Sequence, residues 1–241
     1  MPQHHLPDDT LLAYAAGALG ESESLLVACH ITLCPSCRHT VDVAEQLGAA
    51  VLESAAALES AAPAPRSPSP AGAALERRDA ALLADLLPKL DDRSGSAADE
   101  RAASAPAAAI ATDPTGIVPA PLFDLVGDLD RAPWQRKLPS LHILPLPPPA
   151  DDKLVSLVRL APGASVPLHA HRGTEAALVL TGGFTDDAGH FVRGDVSVRD
   201  DSKLHKQRID AGEPCIWLLV ADGPFIPRSL TGWLARLLFG L

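Results

Sequence analysis

The chain is short of positive charge, of cysteine and of long apolar runs, and each shortage excludes something. Twenty lysines and arginines against thirty aspartates and glutamates give a formal net charge of -10 at pH 7. The basic stripe that neutralises nucleic-acid phosphate is missing, so direct contact with nucleic acid is not expected. A basic protein partner fits the charge better. The first fifty residues carry Asp8, Asp9, Glu21, Glu23, Asp42 and Glu45 against the single base Arg38, which makes them the acidic piece to expect at such an interface. Cysteine occurs four times, as Cys29, Cys34, Cys37 and Cys215, and the middle pair has the spacing of metal ligands rather than of a disulfide framework. No uninterrupted apolar run approaches membrane-spanning length, and the opening MPQHHLPDD has neither the basic nor the apolar region of a secretory signal. A soluble, cytoplasmic protein without membrane contact is expected, the apolar residues 233–241 reading as a last helix or strand packed on the domain.

What the chain does have is two separate sets of metal-ligand residues. His30-Ile-Thr-Leu-Cys34-Pro-Ser-Cys37 lies near the start, and His169-Ala-His171-Arg-Gly-Thr-Glu175, followed later by His205, lies in the second half. Thiolates with imidazole suit zinc. Imidazoles with one carboxylate suit zinc, iron, manganese or nickel, so the two sets need not hold the same metal or do the same job.

Around the first set the pattern is helical. Pro7-Asp8-Asp9-Thr10 suits a helix start ahead of Leu11, Leu12 and Tyr14, and Gly17 to Gly20 ends it; a second helix runs from about Ser22 to about Leu33. Pro35 opens a third helix carrying Val41, Val43, Ala44 and Leu47, since proline is tolerated in a first helical turn. His30 and Cys34 then share a helical face, and Cys37 falls in a first turn where the helix dipole favours a thiolate. Three ligands leave tetrahedral zinc one short, and the fourth donor is His4 or His5. Cys29 is expected in the core.

Residues 61–71 are alanine, proline and serine, and residues 94–121 are alanine-rich with scattered prolines; such stretches read as flexible linkers. Between them residues 75–90 place Leu82, Leu83, Leu86 and Leu87 at helical spacing, an amphipathic helix that can dock on its own domain or on a partner. From about Leu141 the texture turns to short alternating runs broken by glycine turns, the pattern of an antiparallel barrel or sandwich.

Gly163, five residues, His169-x-His171, three residues, Glu175, six residues and Gly182 reproduce, without a departure, a spacing that resembles the first signature of the cupin barrel. Residues two apart on a strand face one side, so His169 and His171 can both point inward. The resemblance implies a third imidazole from a later strand after a Gly-Asp turn, and Gly194-Asp195 with His205 supplies it, although Asp201-Ser-Lys-Leu replaces the usual Pro-x-Gly approach. A cupin metal held by His169, His171, Glu175 and His205 follows, with zinc first and iron or manganese as the other choices.

The pattern of an early histidine followed by H-x3-C-x2-C across two helices looks like the zinc-binding anti-sigma domain. The whole chain then resembles the ChrR-type anti-sigma factors, which join that domain to a C-terminal cupin. In their opening, similar to His4-His5-Leu-Pro-Asp-Asp-Thr-Leu-Leu-Ala-Tyr14 here, the second of two adjacent histidines is the ligand, which points to His5, with His4 as runner-up. The resemblance implies an α + β protein of two domains: a small all-α zinc domain over residues 1–92 (core about 5–50, extra helix about 74–90), a flexible linker over 93–138 and an all-β cupin jelly roll over 139–241. It implies a structural zinc on His5, His30, Cys34 and Cys37 and an ECF-type sigma factor as partner, contacted in part by Leu82, Leu83, Leu86 and Leu87. It further implies negative regulation of transcription, with an oxidative, singlet-oxygen-like stress signal received by the cupin. The competing reading is a metal-dependent cupin enzyme, a dioxygenase or isomerase with an accessory zinc domain. The H-x3-C-x2-C module, which a simple cupin enzyme does not need, weighs for the regulator and against catalysis.

Overall fold

Proline and glycine set the limits of the first helices in the computed structural model, which describes residues 1–61, 113, 115–170, 172–201, 204–223 and 226–227. Helix α1 spans Asp8–Ala15, begins after Pro7 with two acids in its first turn, and gives way to Gly17 at φ +66°. Helix α2, Glu21–Leu33, stops where Pro35 forces the preceding Cys34 out of helical geometry, to φ -115° and ψ 102°. Pro35 then opens α3, Pro35–Ala61, longer than the third helix foreseen. Val41, Cys37 and Cys34 of this corner are buried.

Residues 115–138, expected within a flexible linker, are folded. Asp113 Oδ2 accepts the N–H groups of Ile117 and Val118, and Arg193 donates to the carbonyls of Gly116 and Ile117. Helix α4, Ala120–Val126, follows and packs with α2, with Leu122 fully buried. Val118, Leu122, Phe123 and Trp134 of this segment all find the common core, and that burial offsets the ordering cost.

Among the described residues, eleven strands form two antiparallel sheets. One orders as β1 (Gln135–Leu138), β2 (Leu141–Pro145), β3 (Leu154–Leu160), β10 (Cys215–Ala221), β5 (Glu175–Thr181), β8 (Val196–Arg199). The other orders as β11 (Ile226–Pro227), β4 (Ser165–Ala170), β9 (His205–Ile209), β6 (Gly183–Asp186), β7 (Gly189–Val192). This is the expected jelly roll. Strand β10 shows why its sequence is apolar throughout: Ile216, Leu218 and Val220 face the helices, with Leu11, Leu26, Val27 and Leu122, whereas Cys215 and Trp217 face inward with Phe184, Phe191 and Ile209. A strand covered on both faces has no polar side to show.

Two units emerge from the packing. One comprises Met1–Ala49 with Ala111–Leu241, so the first helices and the barrel share it; the other comprises Ala50–Ile110, of which only the end of α3 is described. The proposed helix over 75–90, with Leu82, Leu83, Leu86 and Leu87, lies outside the described residues, as do His171 and residues 228–241. No described helix is long and apolar enough to cross a membrane.

Candidate metal centres

The corner between α2 and α3 gathers the first centre. His30 lies in the last turn of α2, Cys34 is its extended cap, and Cys37 lies in the first turn of α3. His5 joins them from the segment ahead of α1, its Nδ1 3.3 Å from Cys34 Sγ and 3.4 Å from Cys37 Sγ. All four donor atoms lie within 4.8 Å of one another, and His30, Cys34 and Cys37 are buried. His4, the other candidate, is elsewhere: its ring stacks on Phe191 with centroids 4.2 Å apart and its Nε2 reaches the His190 carbonyl at 3.1 Å.

The donor set fits zinc. Zinc–nitrogen and zinc–sulfur bond lengths put tetrahedral N and S ligands about 3.5 Å apart, close to the two N–S distances seen. His30 Nδ1–H donates to the Gly194 carbonyl at 2.9 Å, which leaves the lone pair on Nε2, a buried atom with no hydrogen-bond partner among the described residues. Burial holds the His30 pKa below its ordinary value despite that hydrogen bond, which keeps the ring neutral, as a ligand must be. Burial, reinforced by Cys34, pushes the Cys37 thiol up to about 11. A thiol in that state calls for a cation beside it before it ionises. Cys29, in contrast, is simply core, fully buried and pushed up to about 12 by desolvation.

The second centre lies where the two sheets face each other. His169 on β4 is paired across the ladder with His205, the first residue of β9, and their ring centroids are 4.2 Å apart. Glu175, first residue of β5, projects from the opposite sheet to within 4.0 Å of His205 Nε2. Their donor atoms converge within 4.8 Å, and all three residues are buried. His169 Nδ1–H donates to the Pro167 carbonyl at 2.8 Å, so Nε2 carries its lone pair. Burial pushes Glu175 up to about 8, against the opposing effect of Arg199, and lowers His205. Two imidazoles and a carboxylate in such burial suit a first-row dication, which would hold the carboxylate ionised. His171, the remaining expected ligand, is outside the described residues.

Two residues near this centre were not foreseen. Arg199 lies opposite Glu175 in the β5–β8 pairing and forms an ion pair with the fully buried side chain of Asp186, whose Oδ2 is 4.0 Å from His205 Nδ1. In sequence Asp186 belongs to a polar hairpin turn, Asp-Asp-Ala-Gly, and nothing local marks it as buried. Beside the centre lies an open cleft of about 490 Å³, lined in part by Val158, Leu160, Val166, Trp217 and Leu219 and reaching His169 and Glu175. Its size and apolar wall are those of a small-molecule site.

Comparison with known proteins agrees with this arrangement. Residues 123–225 match the family model of the ChrR cupin-like domain. The chain is 32% identical over 232 residues to the anti-sigma-E factor ChrR of Cereibacter sphaeroides, covering 94% of this chain and 95% of that protein. Among solved structures it is similar to the crystal structure of Rhodobacter sphaeroides SigE in complex with the anti-sigma ChrR, at 30% identity and a TM-score of 0.64, over 92% of this chain and 100% of the matched one.

Proposed function

Because the chain belongs to the ChrR family of anti-sigma factors, we propose that it is an inhibitor that captures an ECF-type sigma factor through its helical zinc domain and receives the inducing signal in its cupin barrel. The observation that carries this reading is the pairing, within an end-to-end family match, of the four-ligand centre His5, His30, Cys34 and Cys37 with the barrel centre His169, Glu175 and His205. The first zinc is structural: its ligands come from the segment ahead of α1, the end of α2 with its cap, and the start of α3, and metal binding ties these pieces together and contributes directly to their folding. The barrel metal is zinc first, with iron or manganese as alternatives, and His171 is its proposed fourth ligand. An oxidative, singlet-oxygen-like stimulus is the proposed signal.

The partner surface is proposed to include exposed apolar residues of the helices. Leu12 on α1 and Val43 and Leu47 on α3 are 53%, 41% and 64% exposed, the last two one helical turn apart, and large apolar side chains aligned on an otherwise acidic helix suit a protein contact. Leu82, Leu83, Leu86 and Leu87 remain the proposed contribution of a further helix. The proposed domain limits follow the sequence reading, save that residues 115–138 leave the linker, with α4 packing on α2 and β1 joining the barrel sheet. The proposed site of action is the cytoplasm, where a sigma factor is met.

Purifying the tagged chain from its own organism tests this. A stoichiometric small sigma factor should accompany it, and Leu47→Asp should weaken that capture without lowering the thermal midpoint by more than a degree or two. A solitary protein carrying iron would overturn the regulator reading. The apolar cleft beside His169 and Glu175 favours that second reading, a cupin dioxygenase or isomerase, for which oxygen consumption is the assay.

A further inference from the structure

One turn of the barrel touches one ligand of the first centre and the residue before another. The Gly194 carbonyl accepts the Nδ1–H of His30, a fully buried contact between residues 164 positions apart. The next residue, Asp195, ties down the segment that carries His5. Its Oδ1 accepts the backbone N–H groups of Gln3 at 2.6 Å and His4 at 2.9 Å, and the His4 carbonyl accepts the N–H of Val196 at 3.1 Å. Its Oδ2 accepts the N–H of Val192 at 2.9 Å, which fixes the carboxylate within its own turn. Asp195 is fully buried, and N–H donors from both sides of the seam stabilise its charge there. The close approach depends on glycine: Gly194 has φ +88°, and a Cβ there would stand 2.7 Å from Pro2 Cγ and 3.5 Å from Leu33 Cβ.

We infer that the Gly194-Asp195 turn is an integral part of the helical metal site, positioning His30 and His5 so that the barrel sets how tightly the helices hold their metal. The inference rests on the reading of His5, His30, Cys34 and Cys37 as ligands and adds to it a route for regulation. Groups that orient a ligand from behind change metal affinity about 10–100-fold when removed. The same turn leads straight into β8, whose far end places Arg199 opposite Glu175. A change at the barrel centre that displaces β8 therefore reaches the helices as altered ligand geometry.

The test uses the full chain and its Asp195→Asn variant, which keeps the side-chain shape but replaces one acceptor oxygen with a donor. Zinc affinity is measured by competition with a chromogenic chelator, and cobalt(II) absorption reports ligand geometry at the thiolate site. Affinity should fall about 10–100-fold, with shifted cobalt d–d bands and an unchanged near-ultraviolet signal from the chain's three tryptophans. A parent-like spectrum would overturn the inference whatever the affinity, because a contact that serves only stability lowers apparent affinity through folding and leaves ligand geometry unmoved. Should the variant not fold, hydrogen exchange on the unaltered chain decides. Zinc should slow exchange in residues 190–197 as well as around Cys34, and a response confined to the helices would overturn the inference. A parent chain with no thiolate–cobalt band would overturn the ligand reading first, and this inference with it.

Discussion

Cys34 owes its position to its neighbour. Pro35 excludes helical geometry at the residue before it, and the resulting bend turns Cys34 away from α2 toward Cys37 and His5. Replacing Cys34 or Cys37 by serine leaves three ligands and one hard donor in a soft site. The variant should retain less than a tenth of the parent's zinc after dialysis against a mild chelator and should lose sigma capture; a metal-free variant that still captures would dismiss the structural role. At this scale the grouping of His30 with Cys34 and Cys37, and of His169 with Glu175, was legible because the spacing is short-range and chemically specific, whereas His205 came from the barrel resemblance. The groups behind these ligands were not legible. Asp195 and Asp186 take their roles from partners far away in sequence, His4 and His205, and an aspartate in a turn is ordinarily a solvated one.

The N-terminus of α2 has no cap of its own: Gly20 offers no side chain, and the barrel supplies one. Asp151 accepts the backbone N–H of Ser22 at 3.0 Å and its hydroxyl at 2.6 Å, while Glu21 accepts the N–H of Ala150 and Glu23 meets Lys153. An acceptor at a helix start is worth about 1 kcal/mol, so Asp151→Ala should lower the thermal midpoint by about 2–4 °C at neutral pH. The Ser22 hydroxyl, then its N–H, holds the Asp151 carboxyl below its ordinary range, and Lys153 does the same for Asp222. A carboxyl with a depressed folded value stabilises fully above its unfolded pKa of about 4, and that contribution is lost as pH falls through the folded value. Midpoints measured from pH 5 to pH 2.5 should therefore converge between parent and variant; a constant gap would remove Asp151 from the account. Elements with clear limits could be read in advance: α2 lies between Gly20 and Pro35, and β10 is a short unbroken apolar run. Helix α4 could not, because seven residues in an alanine- and proline-rich stretch become a helix only when Leu122 finds the face of α2.

For the molecule as a whole, the division of labour predicts that emptying the barrel centre spares capture. His169→Ala combined with His205→Ala should leave sigma binding within about twofold of the parent while abolishing release under the inducing stress, measured by pull-down and by reporter transcription. Loss of binding in that variant would place the partner surface on the barrel. The jelly roll and the helical zinc corner were legible from spacing. Their union was not, since Leu11, Leu26 and Val27 meet Leu157, Leu178 and Leu218 only through tertiary packing that no local pattern encodes.

That seam has a consequence for how the protein could be dismantled. The helices and the barrel are joined by buried leucines, by the Asp195 and Asp151 hydrogen bonds and by the Lys153–Glu23 ion pair, none of which depends on the peptide bonds of residues 62–112. A protease that cuts once in that stretch should yield two bands on a denaturing gel but a single peak in native gel filtration, and two native peaks would show the seam to be too weak to hold. Clipping the connection would leave the zinc corner and the barrel joined as one body.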